Sequence, residues 1–430
     1  MKLEESLLDD LRGIPVVDAH NHVRGHVQCQ PVDSVMDLLM DPYIGWAMEF
    51  GSTSLAPLVR DQTRTDQERW DSFIQAWPAW RATGYGRILA GTLEGWGFPS
   101  DQLHSDQWPG IVAAAQQRNP AYSRRTFERL GIRDTLTHFL MMPHFGHYDT
   151  VKQFLAGRLT FEPGFWPQLG TLGLHQFHDR GQLLQVGELA GTEVNDLDSL
   201  SEAIARIVAE CVSRGVVGYK DHRAYTAGLA FGVPDRRAAE RELTGLLRGE
   251  VSAEGALALS DYLFDRLIQL ADDLGLPVAL HTGYKQKDVD RSAGLQLMRP
   301  LLGRYPGVRF DVYHLNYPYL EDQLEVVKSH PNVYANCCWT HIIDPAYTVA
   351  FLKSAIGTIP ANHIFGYGSD FAVLPEACVP HLELALGNIA EALAWGIRRR
   401  ILSRSTALEI AQLWLHDNPA QVYGIQGGTD

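Results

Sequence analysis

Apolar residues along this chain recur in two rhythms, and the change from one to the other falls near Gly131. Downstream, helical spacing and short apolar runs take turns. Leu200, Ile204, Ile207, Val208, Cys211 and Val212 return at the spacing of one helix face over Asp198–Arg214, and Gly215 ends the run. Strand-like runs are then predicted at Val216–Lys220, Pro277–His281, Val308–His314, Val333–Cys337 and Ile364–Gly368. Helices are predicted between them at Leu257–Leu274, Leu295–Leu302, Leu320–Ser329 and Ala346–Ile356, with two more at 381–398 and 405–416. The polar stretch 223–255 reads as a loop with a short helix. Upstream, strands are expected at Val16–His20, behind a lead-in helix Glu4–Leu11, at Ile132–Met142 and at Gln182–Leu189. Eight strands, the later ones alternating strictly with helices, predict an α/β protein built as a (β/α)8 TIM barrel. A doubly wound open sheet is the alternative, but no G-x-G-x-x-G follows any strand.

Residues 30–131 lack strand spacing. Helices are expected at Ser34–Met40, Asp66–Thr83 and Asn119–Leu130, and Trp46, Trp70, Trp77, Trp80, Trp96 and Trp108 fall in this stretch. The pattern predicts one barrel domain over 1–430 with a helical insertion at 30–131 after the first strand. Its aromatics are expected to pack the insertion itself, and so long a connection also suits a lid or pocket wall.

Composition narrows the partners. The chain has 430 residues, 45% hydrophobic and 20% charged, which is ordinary for a soluble globular protein. With 37 basic against 51 acidic residues the formal charge is −14, so nucleic acid and anionic membrane are poor partners. No apolar run approaches the ~18 residues of a transmembrane helix, and Met1–Asp10 lacks the character of a signal peptide. Cys29, Cys211, Cys337, Cys338 and Cys378 are odd in number with no C-x-x-C spacing. That argues against a disulfide framework or a zinc–cysteine knot and for a reducing cytoplasm. The expected partners are a small-molecule substrate and further copies of the chain.

Candidate chemistry sits at the strand ends. His20 and His22 are two apart, so a strand points both imidazoles the same way. Lys220, His281 and His314 close later strands, and Asp370 lies just past the last. A (β/α)8 barrel gathers the C-terminal ends of all its strands on one face. Each residue alone is ordinary; together they are a metal-competent set. Neutral imidazoles and one carboxylate hold a divalent cation with a position left open, as in catalytic zinc sites. Such a cation brings bound water to deprotonation near neutral pH. Asp370 would take that proton and hand it to the leaving group, while a further histidine polarises the substrate carbonyl. Zn²⁺ suits the set best, with Mn²⁺ and Fe²⁺ as alternatives.

The segments VVDAHNH, GYKDHRAYTAGLAFG, PVALHTG, DVYHLNYPY and IFGYGSDF resemble the amidohydrolase superfamily in its amidohydrolase-2 branch. The second and fourth are most similar to the amidohydrolase-like half of FluG-type proteins, and there is a fainter similarity to uronate isomerase. The resemblance covers about 131–420 plus the first strand. It implies a distorted (β/α)8 barrel with a metal held by His20, His22, His281 and Asp370, and His314 at the strand-6 position. In binuclear members the strand-4 lysine is carbamylated and bridges two metals, whereas many members of this branch hold one metal. Unmodified, the Lys220 ammonium would bind a substrate carboxylate with Arg223 and Tyr225.

The remaining polar residues receive lesser roles. His138, His144 and His147 are read as following strand 2, the last two as pocket lining, and His175 and His178 as preceding strand 3. His104, His330, His363 and His416 are read as surface residues. Cys337 and Cys338 have no base paired with them, and Trp339 and His341 are candidate pocket walls. The function expected is metal-dependent hydrolysis of an amide-type C–N bond in a small carboxylate-bearing substrate. Uronate-type isomerisation or decarboxylation on the same metal is the alternative. A purely binding relative is a third reading, against which the intact ligand set argues.

Overall fold

The structure is a computed structural model that describes residues 2–22, 33–40, 42–118, 122–140, 148–252, 255–285, 289–371 and 374–425. Eight strands run in chain order: β1 (Val16–Asn21), β2 (Ile132–Leu140), β3 (Phe165–Gly170), β4 (Gly218–Asp221), β5 (Val278–His281), β6 (Phe310–Tyr313), β7 (Val333–Asn336) and β8 (Ile364–Phe365). They form one sheet in the order β1 to β8. Every pairing from β3 to β8 is parallel. With helices in the crossovers, this is the (β/α)8 arrangement that the apolar rhythm predicts.

One expected strand is a helix. Gln182–Leu189 lies inside the helix Arg180–Ala190, which Asp179 caps by accepting from the Gln182 amide and left-handed Gly191 terminates. The third strand is instead Phe165–Gly170, where Pro167 interrupts the apolar run. The Pro167 carbonyl still accepts from the Val217 amide at 3.0 Å, so the proline costs the ladder only a donor. The stretch 223–255 holds a full helix, Arg236–Leu247, capped by Asp235.

The chain divides into two compact units. The first comprises Met1–Thr135, Cys337–Gly357 and Gly366–His416. Here Trp70 stacks on Phe73 at 5.3 Å and on Trp108 at 5.4 Å, and Trp77 meets Trp80 edge-on at 4.8 Å. All four tryptophans are buried. The segment after β8 runs beside β1: the Ala19 amide donates to Tyr367, the Asp370 amide to His20 and the His22 amide to Phe371, at 3.1, 2.8 and 2.9 Å.

The second unit comprises Leu136–Asn336, Thr358–Phe365 and Asp417–Asp430. Its strands β3 to β7 are buried, apart from partly exposed positions in β3 and β7, and carry polar residues such as Lys220, Asp221 and Asp311 among the apolar ones. Register places Lys220 level with Ala279 and Asp311, and His281 level with Tyr313 and Asn336. Asn418 ties the short β8 in place by donating to the carbonyls of Ala361 and Ile364, both at 2.8 Å. Among the described residues no helix is long and apolar enough to cross a membrane.

Candidate active site

In the first unit, β1 carries His20 and His22 on one side of the strand, their rings 4.8 Å apart and nearly perpendicular. The Nε2 atoms lie 3.2 and 3.1 Å from the same oxygen, Oδ1 of Asp370. Burial opposes ionisation of Asp370, but the two imidazoles outweigh it and hold the carboxyl well below the usual range. Two ring nitrogens and an ionised carboxylate on one point form a donor set suited to a borderline divalent cation. Asp370 adopts a left-handed backbone, φ 55°, and so does Trp339, φ 64°. Non-glycine residues held there gather at functional positions.

Asp18 is the support that the sequence gives no reason to single out. It is fully buried and accepts from the Ser369 amide at 2.8 Å, the Ser369 hydroxyl at 2.6 Å and Asn21 Nδ2 at 2.9 Å. Burial still raises its carboxyl to about 6. His341, a candidate pocket wall, is wholly buried: Nε2 donates to the Gly366 carbonyl at 2.9 Å and Nδ1 accepts from Asn388 at 3.1 Å. Burial lowers its imidazole to about 4. Trp339 donates its indole N–H to the Tyr85 hydroxyl at 3.2 Å. Cys337 and Cys338 are buried, and burial pushes the Cys337 thiol up, so it offers no thiolate.

In the second unit, His281 ends β5 and donates Nε2–H to the Tyr284 carbonyl at 2.8 Å. That bond fixes the tautomer and puts the lone pair on Nδ1, as backbone carbonyls do for metal-ligating histidines. The His314 ring is 4.3 Å from His281, and Tyr225 is 4.5 Å away on another side. His314 lies just past β6 and opens a left-handed run with Leu315 and Asn316, φ 67°, 47° and 53°.

Lys220 is not the last residue of β4. The strand continues to Asp221, and the Lys220 ammonium lies 4.0 Å over the Tyr313 ring, fully buried. Beside it, Asp311 accepts from the Tyr423 hydroxyl at 2.8 Å and Asn336 Nδ2 at 3.2 Å. Burial raises the Asp311 carboxyl to about 8, with the nearby Lys220 charge opposing. Arg223 turns to Asp261 at 2.6 Å and covers the Phe231 ring at 4.8 Å. Between them Asp221 accepts from Thr171 and pairs with His175 Nε2, both at 2.8 Å, while His175 Nδ1 meets Ser260 at 2.9 Å.

Several histidines differ from their sequence reading. His138 lies within β2 rather than after it, and His175 and His178 follow β3 rather than precede it. His144 and His147 fall outside the described residues. Of the four read as surface residues, His104 is exposed, and His330, His363 and His416 are half-buried. His222 stands one residue past β4, its ring 4.6 Å from His138 and 6.0 Å from His281. The signal for it was present: it repeats at β4 the two-residue step that His20 and His22 make at β1.

A family model described as Amidohydrolase (Amidohydro_2) matches residues 194–425, more than half of the chain. The chain belongs to the amidohydrolase family. This amidohydrolase is 26% identical to Protein fluG of Emericella nidulans over 193 residues, 42% of the chain but 22% of that much longer protein. The chain therefore spans about a fifth of the curated relative it matches. Uronate isomerase from Thermotoga maritima superposes with a TM-score of 0.79 at 15% identity, over 98% of this chain and 97% of the other. Glucuronate isomerase from Caulobacter crescentus also scores 0.79, at 16% identity over 100% and 95%. A candidate metal-dependent hydrolase from Lactobacillus casei scores 0.64, at 17% identity over 97% of each chain. At such identities the likeness establishes the (β/α)8 fold. The family match makes the chain an enzyme of that superfamily.

Proposed function

We propose that this amidohydrolase hydrolyses an amide-type C–N bond of a small carboxylate-bearing substrate, using one divalent cation, Zn²⁺ before Mn²⁺ or Fe²⁺. The observation behind it is the meeting of His20 Nε2 and His22 Nε2 on Asp370 Oδ1. His281, whose Nδ1 keeps the lone pair, is the proposed fourth ligand, since strand ends share one face in a (β/α)8 barrel. A cation bound there supplies Lewis acidity, bringing water to deprotonation near neutral pH and polarising a carbonyl. Asp370 is the proposed proton carrier, receiving the water's proton and delivering it to the departing nitrogen. His314, against His281, is proposed to donate to the substrate carbonyl oxygen, and Tyr225 to orient the substrate. Lys220 and Arg223, held by Tyr313 and Asp261, brace the strand end that presents Tyr225. We also read 1–430 as one domain with 30–131 inserted, working in the cytoplasm as a homo-oligomer; the burial of all four described cysteines supports a reducing setting.

The second reading is uronate isomerisation, in which Asp370 and His314 would move a proton between carbons. The likeness to uronate and glucuronate isomerases extends over the insertion as well as the barrel, which favours it. Metal analysis of the purified protein, followed by N-acyl and γ-glutamyl compounds screened against uronates, separates the two. Release of amine supports hydrolysis; interconversion of a uronate without it replaces hydrolysis by isomerisation. Protein that retains no divalent metal through purification and reloading would end both.

A further inference from the structure

Both cationic residues expected to receive a substrate carboxylate are committed elsewhere in the second unit. The Lys220 ammonium lies against the Tyr313 face, in the layer of Asp311 and two residues before the end of β5. The Arg223 guanidinium is ion-paired to Asp261. His222 is better placed. Asp221 pairs with Leu280, so the next residue, His222, comes level with His281 at the end of β5. Asp221 is anchored by Thr171 and His175 and also accepts from the Arg223 amide at 2.8 Å, which fixes the turn on both sides of His222. His222 is half-buried. The wholly buried His138 ring lies 4.6 Å away at 34°, and Tyr225 completes the group at 6.0 Å from His222 and 4.5 Å from His281.

We propose that His222, with the tilted His138 ring against it and Tyr225 beside it, forms the subsite that receives the carboxylate of the substrate. This rests on the reading of the substrate as small and carboxylate-bearing. The chemistry of the group is that of a donor set. Imidazole N–H and phenol O–H both donate to a carboxylate, and even a neutral imidazole keeps one N–H. Bonds from such donors to an ionised acceptor are the stronger kind of hydrogen bond. The subsite adjoins His281, so a carboxylate bound there would place the rest of a short molecule toward the proposed ligand.

The test uses the metal-loaded full chain and two probes, glutarate and its uncharged counterpart glutaramide, titrated by calorimetry. Wild type should bind glutarate more tightly than glutaramide. His222→Phe keeps an aromatic ring but removes the donor, and should weaken glutarate roughly ten- to hundredfold. It should leave glutaramide affinity, metal per chain and thermal melting unchanged. His222→Gln restores an N–H donor and should recover part of the loss. Undiminished glutarate binding in His222→Phe overturns the proposal, as does loss of metal in that variant, which would make His222 a ligand. Wild type that does not prefer glutarate overturns the carboxylate-bearing reading itself, a failure visible before any variant is made.

Discussion

Asp18 accepts both the amide and the hydroxyl of Ser369, at 2.8 and 2.6 Å, across 351 positions of sequence. The residue after Ser369 is Asp370, whose own amide donates to the His20 carbonyl. One buried carboxylate thus locks the turn bearing Asp370 onto the strand bearing His20 and His22. Asp18→Ala would leave the Ser369 donors and Asn21 Nδ2 without their acceptor, each costing about 1–3 kcal/mol. Metal affinity should fall about 10- to 100-fold, the usual effect of losing support behind a ligand. A chelator titration followed by metal analysis measures it; an unshifted midpoint would show that the turn holds without Asp18.

Parts of this arrangement are readable from sequence because they are local. The step from His20 to His22 needs only the two-residue period of a strand, and Asp370 stands in a short polar segment after an apolar run. Other parts are not local. β3 is hidden by Pro167, while Asp179 and Gly191 make a helix of a stretch whose Leu183, Leu184 and Val186 look strand-like. The end of β4 falls one residue later than the apolar run implies, so Asp221 is still in the strand, on the face opposite Lys220, where it meets His175. The β4–β5 register then sets His222, not Lys220, level with His281. The bond from Ser369 to Asp18 has no local signature at all.

Asp221 and His175 form a fully buried hydrogen-bonded pair at 2.8 Å behind the β4 turn. His175→Ala would strand a buried carboxylate, a loss of about 3–5 kcal/mol. His175→Gln, which retains a donor, should lose less. Burial opposes the Asp221 charge, but His175 overcomes it and the carboxyl sits below its ordinary range. Its stabilising contribution is therefore present above about pH 4 and is lost as pH falls through the depressed value. Urea unfolding at pH 7 and in acid should show a gap between wild type and His175→Ala that narrows in acid; equal midpoints at pH 7 would deny the pair any structural role.

His341 should make the fold acid-sensitive. Burial lowers its imidazole from 6.5 to about 4. Above pH 6.5 it is neutral whether the chain is folded or unfolded, and it contributes no pH dependence. Below that, the unfolded chain takes a proton that the folded one refuses until about pH 4, so stability falls as pH falls across this window. The shift corresponds to about 3 kcal/mol. His341→Gln cannot titrate and should be less stable at pH 7, having lost the fit to Gly366 and Asn388, yet its stability should change less between pH 6.5 and 4. Parallel pH profiles for the two proteins would assign the acid sensitivity to other groups.

Asp370 is asked to do two things, and the demands can be separated. Holding a cation needs an oxygen lone pair, which an asparagine side chain also offers. Carrying a proton needs a titratable group, which asparagine lacks. Asp370→Asn should therefore retain much of the divalent metal, with some weakening from the lost charge. Turnover should fall by about 10²–10⁴-fold, the usual contribution of a general base. The fold should survive, because the substitution changes no volume and leaves the Asp370 amide bonded to His20. Metal per chain, far-UV circular dichroism and kcat on whichever substrate the screen returns are the three measurements. A folded, metal-loaded Asp370→Asn enzyme with near-normal kcat would move the proton to another group. His314, 4.3 Å from His281 and held in a left-handed backbone just past β6, would be the residue to replace next.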